Sequence, residues 1–152
     1  MDLIIGSDHA GFDLKEQIKE FLSEKNKYTI KDAGTFSNDS VDYPILAHRV
    51  AKDVSEKRYE RGILICGSGI GMSIVANRYS NVRAALCHNL YTVQLSRRHN
   101  NANILVLGGR ILGVGIALEM VDLFLNTDFE GGRHQKRLDQ IDACGSTGDG
   151  LT

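Results

Sequence analysis

Short apolar runs alternate with longer amphipathic stretches along this chain, and the alternation predicts a succession of strands and helices. Leu3-Ile4-Ile5, Gly62-Ile63-Leu64-Ile65, Val82-Arg83-Ala84-Ala85-Leu86 and Ile104-Leu105-Val106-Leu107 read as buried strands, with Tyr28-Thr29-Ile30 as a fifth. Helical spacing follows each of them. Phe12, Ile18, Phe21 and Leu22 share an apolar face in a helix predicted from about Phe12 to Lys25. The sole proline, Pro44, opens a second helix running to about Lys57, in the first turn where a missing N–H costs nothing. Further helices are predicted over 72–78, 90–98 and 114–125, and the polar stretch 34–40 is a loop. Strands alternating with helices define an α/β fold. We expect a single-domain, Rossmann-like, three-layer arrangement, with a five-stranded parallel sheet and helices on both faces. From Asn126 the pattern changes to a C-terminal helical tail carrying Gly131-Gly132-Arg133-His134-Gln135-Lys136-Arg137. The domain is expected to span 1–143, and the Gly/Ser/Thr-rich segment 144–152 to be a disordered tail.

Composition narrows the function classes. The 152 residues carry a net charge of −1, which provides no general attraction to nucleic acid or to a membrane surface. No apolar run reaches the length of a membrane span, and the run at residues 1–5 is too short for the core of a signal peptide. Cys66, Cys87 and Cys144 form an odd set without metal-ligand spacing, as expected of reduced thiols in a cytoplasmic protein.

The densest chemical signal is Cys66 followed by Gly67-Ser68-Gly69-Ile70-Gly71. A thiol at a strand end, a loop nearly free of side chains and then a helix start place a base beside exposed backbone N–H groups. That setting suits anions and favours a thiolate. In an open α/β sheet, ligands bind beyond the carboxyl ends of the strands at the topological switch point. With the common strand order 2-1-3-4-5, strands 1 and 3 are neighbours there, so the Asp8-His9 loop faces the Cys66 loop. Each piece has a plainer reading: a core cysteine, a helix-capping Asp8, a surface His9 and a tight glycine turn. Arg133 and Arg137 share one helix face and could clamp a phosphate, or could simply form a solvated face. Arg110, after Gly108-Gly109, is a similar candidate. His99-Asn100 follows a helix and precedes strand 5, which puts it at the amino edge of the sheet, away from Cys66. If both act in one reaction, a second subunit must bring the histidine; the alternative is a helix C-cap. The loop lacks the third glycine of a dinucleotide motif, position 72 being Met, and it is neither a P-loop nor a cysteine-phosphatase loop.

Ser7-Asp8-His9-Ala10-Gly11, Val41-Asp42-Tyr43-Pro44, the Cys66 loop, Ser96-Arg97-Arg98-His99-Asn100 and Gly131-Gly132-Arg133-His134 occur in an order that resembles the ribose-5-phosphate isomerase type B family. The wider group includes galactose-6-phosphate isomerase subunits, and the likeness covers about residues 1–143. It implies interconversion of ribose 5-phosphate and ribulose 5-phosphate, in the pentose phosphate pathway, with neither metal nor organic cofactor. It casts Cys66 as the base and His99 as the ring opener. Substrate contacts would come from Asp8, His9, Gly67, Gly69, Ile70, Gly71, Asn100, Arg110, Arg133 and Arg137. Ser68 stands where many members have Thr, which retains the hydroxyl expected to support the enediolate. The resemblance also implies a homodimer with sites shared between subunits, leaving a tetramer open. Two rivals remain at this point, a cysteine phosphocarrier domain and a non-catalytic sugar-phosphate sensor, and the choice between pentose and hexose phosphates is open as well.

Overall fold

The computed structural model describes residues 1–143, so the expected disordered tail at 144–152 lies outside the described residues. Five parallel strands form one sheet: β1 (Asp2–Ser7), β2 (Thr29–Asp32), β3 (Arg61–Cys66), β4 (Ala84–Leu86) and β5 (Ile104–Gly108). The helices are α1 (Phe12–Glu24), α2 (Tyr43–Ser55), α3 (Ile70–Ala76), α4 (Leu90–Arg98), α5 (Val114–Asn126) and α6 (Arg133–Ala143), with a short 3₁₀ turn at His9–Gly11. Pro44 falls in the first turn of α2, as its chemistry requires.

The strand order is β2-β1-β3-β5-β4, which corrects the expected 2-1-3-4-5. The physical reason lies in the strands themselves. β5 is buried at every position and lies between two neighbours, whereas β4 is three half-buried residues with Arg83 just before it. The more apolar strand takes the interior place, and the short one takes the edge. The adjacency that matters for function is unaffected, since β1 still pairs with β3 over Leu3–Ser7 and Arg61–Ile65.

Alternation along the strands builds two cores. Leu3, Ile5, Ile63, Ile65, Leu105 and Leu107 face one side and pack with residues of α1, α4 and α5, among them Ile18, Val93 and Phe124. Ile4, Leu64, Cys66, Ile104 and Val106 face the other and pack with α2 and α3 through Leu46, Val50 and Met72. Each fully buried aliphatic side chain contributes about 1.5–3 kcal/mol relative to exposure. The register also fixes where Cys66 points. As the last residue of its set, it faces α2 and α3 at the carboxyl end of the sheet.

Candidate active site

Cys66 pairs with Gly108 at the end of β3 and is 4% exposed. Its Sγ accepts a hydrogen bond from the Gly69 amide at 3.1 Å, which fixes the sulfur against the following loop. Gly69 makes this possible through a left-handed backbone, φ +80°. A side chain there would also strike Leu86 Cδ1 at 2.5 Å. The Ile70 amide reaches the Ser68 hydroxyl at 3.3 Å, so both amides are engaged within the loop. The sequence pattern had assigned them to a ligand. α3, which opens at Ile70, is only seven residues long, and it is the loop amides, not a long helix dipole, that characterise this end.

Strand β1 delivers the facing loop. Asp8 is buried and its Oδ1 accepts from the amides of Ala10 and Gly11 at 2.9 and 3.1 Å, so it caps the 3₁₀ turn and not α1, whose N-cap is Gly11. The Val41 amide donates to His9 Nδ1 at 3.3 Å, which puts the proton of a neutral ring on Nε2. Arg110 begins beside the same loop: its amide donates to the Gly67 carbonyl at 3.1 Å, and its Cδ lies 3.6 Å from where a Gly67 Cβ would stand. Tyr43, at the start of α2, lays its ring over Gly71, and a Cβ there would sit 2.4 Å from Tyr43 Cζ. Sequence reasoning did not place Tyr43 in the site. The signal available was a ring next to Pro44 and a glycine at a position where a turn did not need one.

This loop cluster is braced from below. Lys15 of α1 is fully buried and pairs with Asp32 Oδ2 at 2.6 Å and Glu16 Oε1 at 2.5 Å, while Lys19 also reaches Asp32 at 2.6 Å. Burial would raise the Asp32 carboxyl, but hydrogen bonds from Lys15, Lys19 and the Gly34 amide outweigh it and hold its pKa below the ordinary value. Asp32 Oδ1 in turn anchors the Gly34 amide at 2.8 Å.

The remaining predicted residues gather elsewhere. His99 caps the C-terminus of α4, five residues before β5 begins, and its side chain is 34% exposed. Cys66 aligns with Gly108 and Gly62 with Ile104. The four intervening residue steps put the two sheet edges about 13 Å apart. Arg97, 2% exposed, secures this amino edge by donating to Thr127 O at 3.2 Å and Asn101 Oδ1 at 2.9 Å. Burial, with repulsion from Arg61 and Arg83 against the pull of Asp128, lowers its pKa to about 10, so it remains charged at neutral pH. Two successive left-handed glycines, Gly131 at φ +66° and Gly132 at φ +56°, turn the chain into α6. That helix returns to His99, and the rings of His99 and His134 stack at 4.1 Å and 8°. Glu130, clamped by Arg98, completes the cluster, its Oε2 lying 3.7 Å from His99 Nε2 and 3.5 Å from His134 Nε2. Asn100, Arg133 and Arg137 are exposed here, and neither arginine makes an ion pair among the described residues.

The predicted site residues thus form two groups on opposite edges. Asp8, His9, Gly67–Gly71, Cys66 and Arg110 converge on the carboxyl edge; His99, Asn100, Arg133 and Arg137 collect on the amino edge. The sheet-edge expectation for His99 holds, and it extends to both tail arginines. The donor atoms of His99, Glu130 and His134 lie within 4.8 Å of one another. Parallel stacked rings, however, direct their lone pairs side by side, and the pair cannot converge on one ion at about 2.0–2.1 Å without splaying.

An α/β sheet with a thiol and a glycine loop at its carboxyl end, and a basic histidine cluster at its amino end, is the frame of a sugar-phosphate isomerase. The family model for Ribose/Galactose Isomerase matches residues 3–141, and the chain belongs to that family. It is 44% identical over 141 residues to ribose-5-phosphate isomerase B of Escherichia coli (strain K12), covering 93% of this chain and 94% of that one. A solved structure of ribose-5-phosphate isomerase B from Clostridium thermocellum superposes with a TM-score of 0.93 at 46% identity, covering 95% and 97% of the two chains. The enzyme from Mycoplasma genitalium with bound ribulose 5-phosphate superposes with a TM-score of 0.91 at 40% identity, covering 96% and 97%. No helix among the described residues is long and apolar enough to cross a membrane.

Proposed function

We propose that this protein interconverts ribose 5-phosphate and ribulose 5-phosphate through an enediolate, with each site assembled from two copies of the chain. The observation that carries the reading is the division of the residues: a buried thiol on one edge of the sheet, and on the other a partly exposed histidine with two arginines that make no ion pair among the described residues. Family membership over nearly the whole chain, with a ribulose 5-phosphate complex among its similar structures, supports the substrate class.

In this mechanism the partner copy's His99 protonates the ring oxygen of the bound furanose while a neighbouring group takes the anomeric proton, giving the open-chain aldehyde. Cys66 as thiolate removes the proton from C2, and the electron pair moves to the carbonyl oxygen at C1. Loop amides not already engaged and the Ser68 hydroxyl face the charge that develops there, a single well-aimed donor being worth about 3–4 kcal/mol. The Cys66 thiol then returns the proton to C1 while the O2 hydroxyl proton passes to O1, and the carbonyl forms at C2. His9 Nε2, with Arg133 and Arg137 from the second copy, holds the phosphate, so that binding energy of the remote group orients the reacting carbons. Asp8 and Arg110, with Asn100 from the second copy, hold the sugar hydroxyls. No step calls on a metal or an organic cofactor. Cys66 and Cys87 are free thiols, which suits a cytoplasmic enzyme whose base must stay reduced.

A folded Cys66→Ala protein should lose at least about 10³-fold in isomerisation and in solvent deuterium uptake at C1 of ribulose 5-phosphate. Near-normal exchange would remove Cys66 from its role. Comparing kcat/KM for ribose, allose and galactose phosphates settles chain length, and we expect the pentose to lead. Phosphocysteine formed from a phosphodonor would instead favour a phosphocarrier.

A further inference from the structure

The cluster beside His99 does more than pack α6. His134 is 5% exposed, and its Nε2 has no hydrogen-bond partner among the described residues. Leu138, one turn further along α6 and equally buried, already supplies an apolar anchor for the helix. A buried imidazole with an idle nitrogen is costly where a phenyl ring would pack as well. Its one close neighbour of opposite charge is Glu130, which faces both imidazoles at once.

We infer that His134 and Glu130 are the positioning pair of His99, His134 holding the ring flat from behind and Glu130 drawing a proton to the stack; the inference rests on the ring-opening role proposed above. Two imidazolium rings at 4.1 Å would repel each other, so the stack holds at most one positive charge. Burial first, then His99, Arg133 and Arg137, push the His134 pKa below its ordinary value, with Glu130 opposing. His134 is therefore the neutral member, and His99 is the more exposed ring of the two. Glu130 itself stays ionised because Arg98 clamps it, with His99 and His134 adding to the pull. The charged groups around the stack are thus Arg98 from α4, Glu130 from the loop, and Arg133 and Arg137 from α6.

The two directions of the reaction separate this role from a structural one. Ribose 5-phosphate arrives as a closed ring and needs an acid. Ribulose 5-phosphate cannot close a furanose, because its C5 oxygen carries the phosphate, so proton exchange at its C1 needs Cys66 and the phosphate contacts but no ring-opening acid. We would measure both rates, with KM, for His134→Ala, His134→Phe, Glu130→Gln and His99→Ala, verifying fold and assembly for each. His134→Ala should lower kcat from ribose 5-phosphate about tenfold, with C1 exchange and KM within about twofold. His134→Phe, which keeps the stacking surface, should recover most of that loss. Glu130→Gln removes the carboxylate that faces both imidazoles, so the fall in forward rate with rising pH should begin at lower pH than in the wild type. Equal loss in both directions for His134→Ala, no loss in either, or a folded His134→Phe no better than Ala would overturn the inference. If His99→Ala shows no split between the directions, the ring-opening reading itself fails.

Discussion

The carboxyl and amino edges of this sheet are built by different means. The carboxyl edge is made of backbone: a sulfur pinned by an amide, a left-handed glycine and a tyrosine ring laid on Gly71, above a buried Lys15–Asp32 pair. The amino edge is made of side chains: a histidine stack, a carboxylate held by Arg98 and two arginines without an ionic partner among the described residues. Proton transfer at carbon needs fixed geometry, and rigid backbone supplies it. On the proposed mechanism, holding a phosphate and opening a ring need charge, and exposed side chains supply that. By the same reading neither edge is a complete site, and about 13 Å of sheet separates them within one chain.

The sharpest way to break the carboxyl side alone is Gly71→Val. The new side chain meets Tyr43 Cζ at 2.4 Å from its first atom, so the ring or the loop must move. A shift near 1 Å at reacting groups costs about 10²-fold, so kcat and C1 exchange should fall together by that order. A variant with unchanged exchange would mean that the loop is less rigid than its contacts imply.

On the amino side, Arg137→Ala should act on binding. A charge-assisted hydrogen bond is worth about 1.5–3 kcal/mol, which converts to roughly 10–150-fold in KM for ribose 5-phosphate, with a smaller change in kcat. Steady-state kinetics with ribose 5-phosphate check the split. A loss confined to kcat would place the arginine at the reacting carbons and erase the contrast between the edges.

The smallest effect on turnover should come from the brace. Asp32→Asn leaves buried Lys15 with Glu16 alone and should cost about 1–3 kcal/mol at neutral pH. The Asp32 carboxyl titrates below its unfolded value, so its contribution is present above about pH 4 and is lost as pH falls through the lower folded value. Urea unfolding of the two proteins should therefore draw together as the pH falls below about 4, while kcat at neutral pH stays within about threefold. A gap that persists in acid would assign the brace to packing.

Much of this was legible in the pattern of residues. Branched runs marked the strands, Pro44 marked the start of α2, and the place of His99 between a helix and a strand put it on the far edge from Cys66. The strand order was not read correctly, although the weaker apolar character of Val82–Leu86 beside Ile104–Leu107 carried the clue. Other features depended on contacts that spacing does not encode. Tyr43 reaches Gly71 from 28 positions away, and His134 reaches His99 from 35. The amides of Gly69 and Ile70 were assigned to a ligand because the sequence does not show that Sγ and the Ser68 hydroxyl take them first.

Mixing subunits tests the division between the edges most directly. Cys66→Ala and His99→Asn chains, each inactive alone, are combined one to one, and their exchange is verified by mass spectrometry of intact dimers. Half the dimers are then mixed, each with one site intact in both edges, and activity should return to about a quarter of wild type. No recovery after verified exchange would contradict a site completed by a second chain.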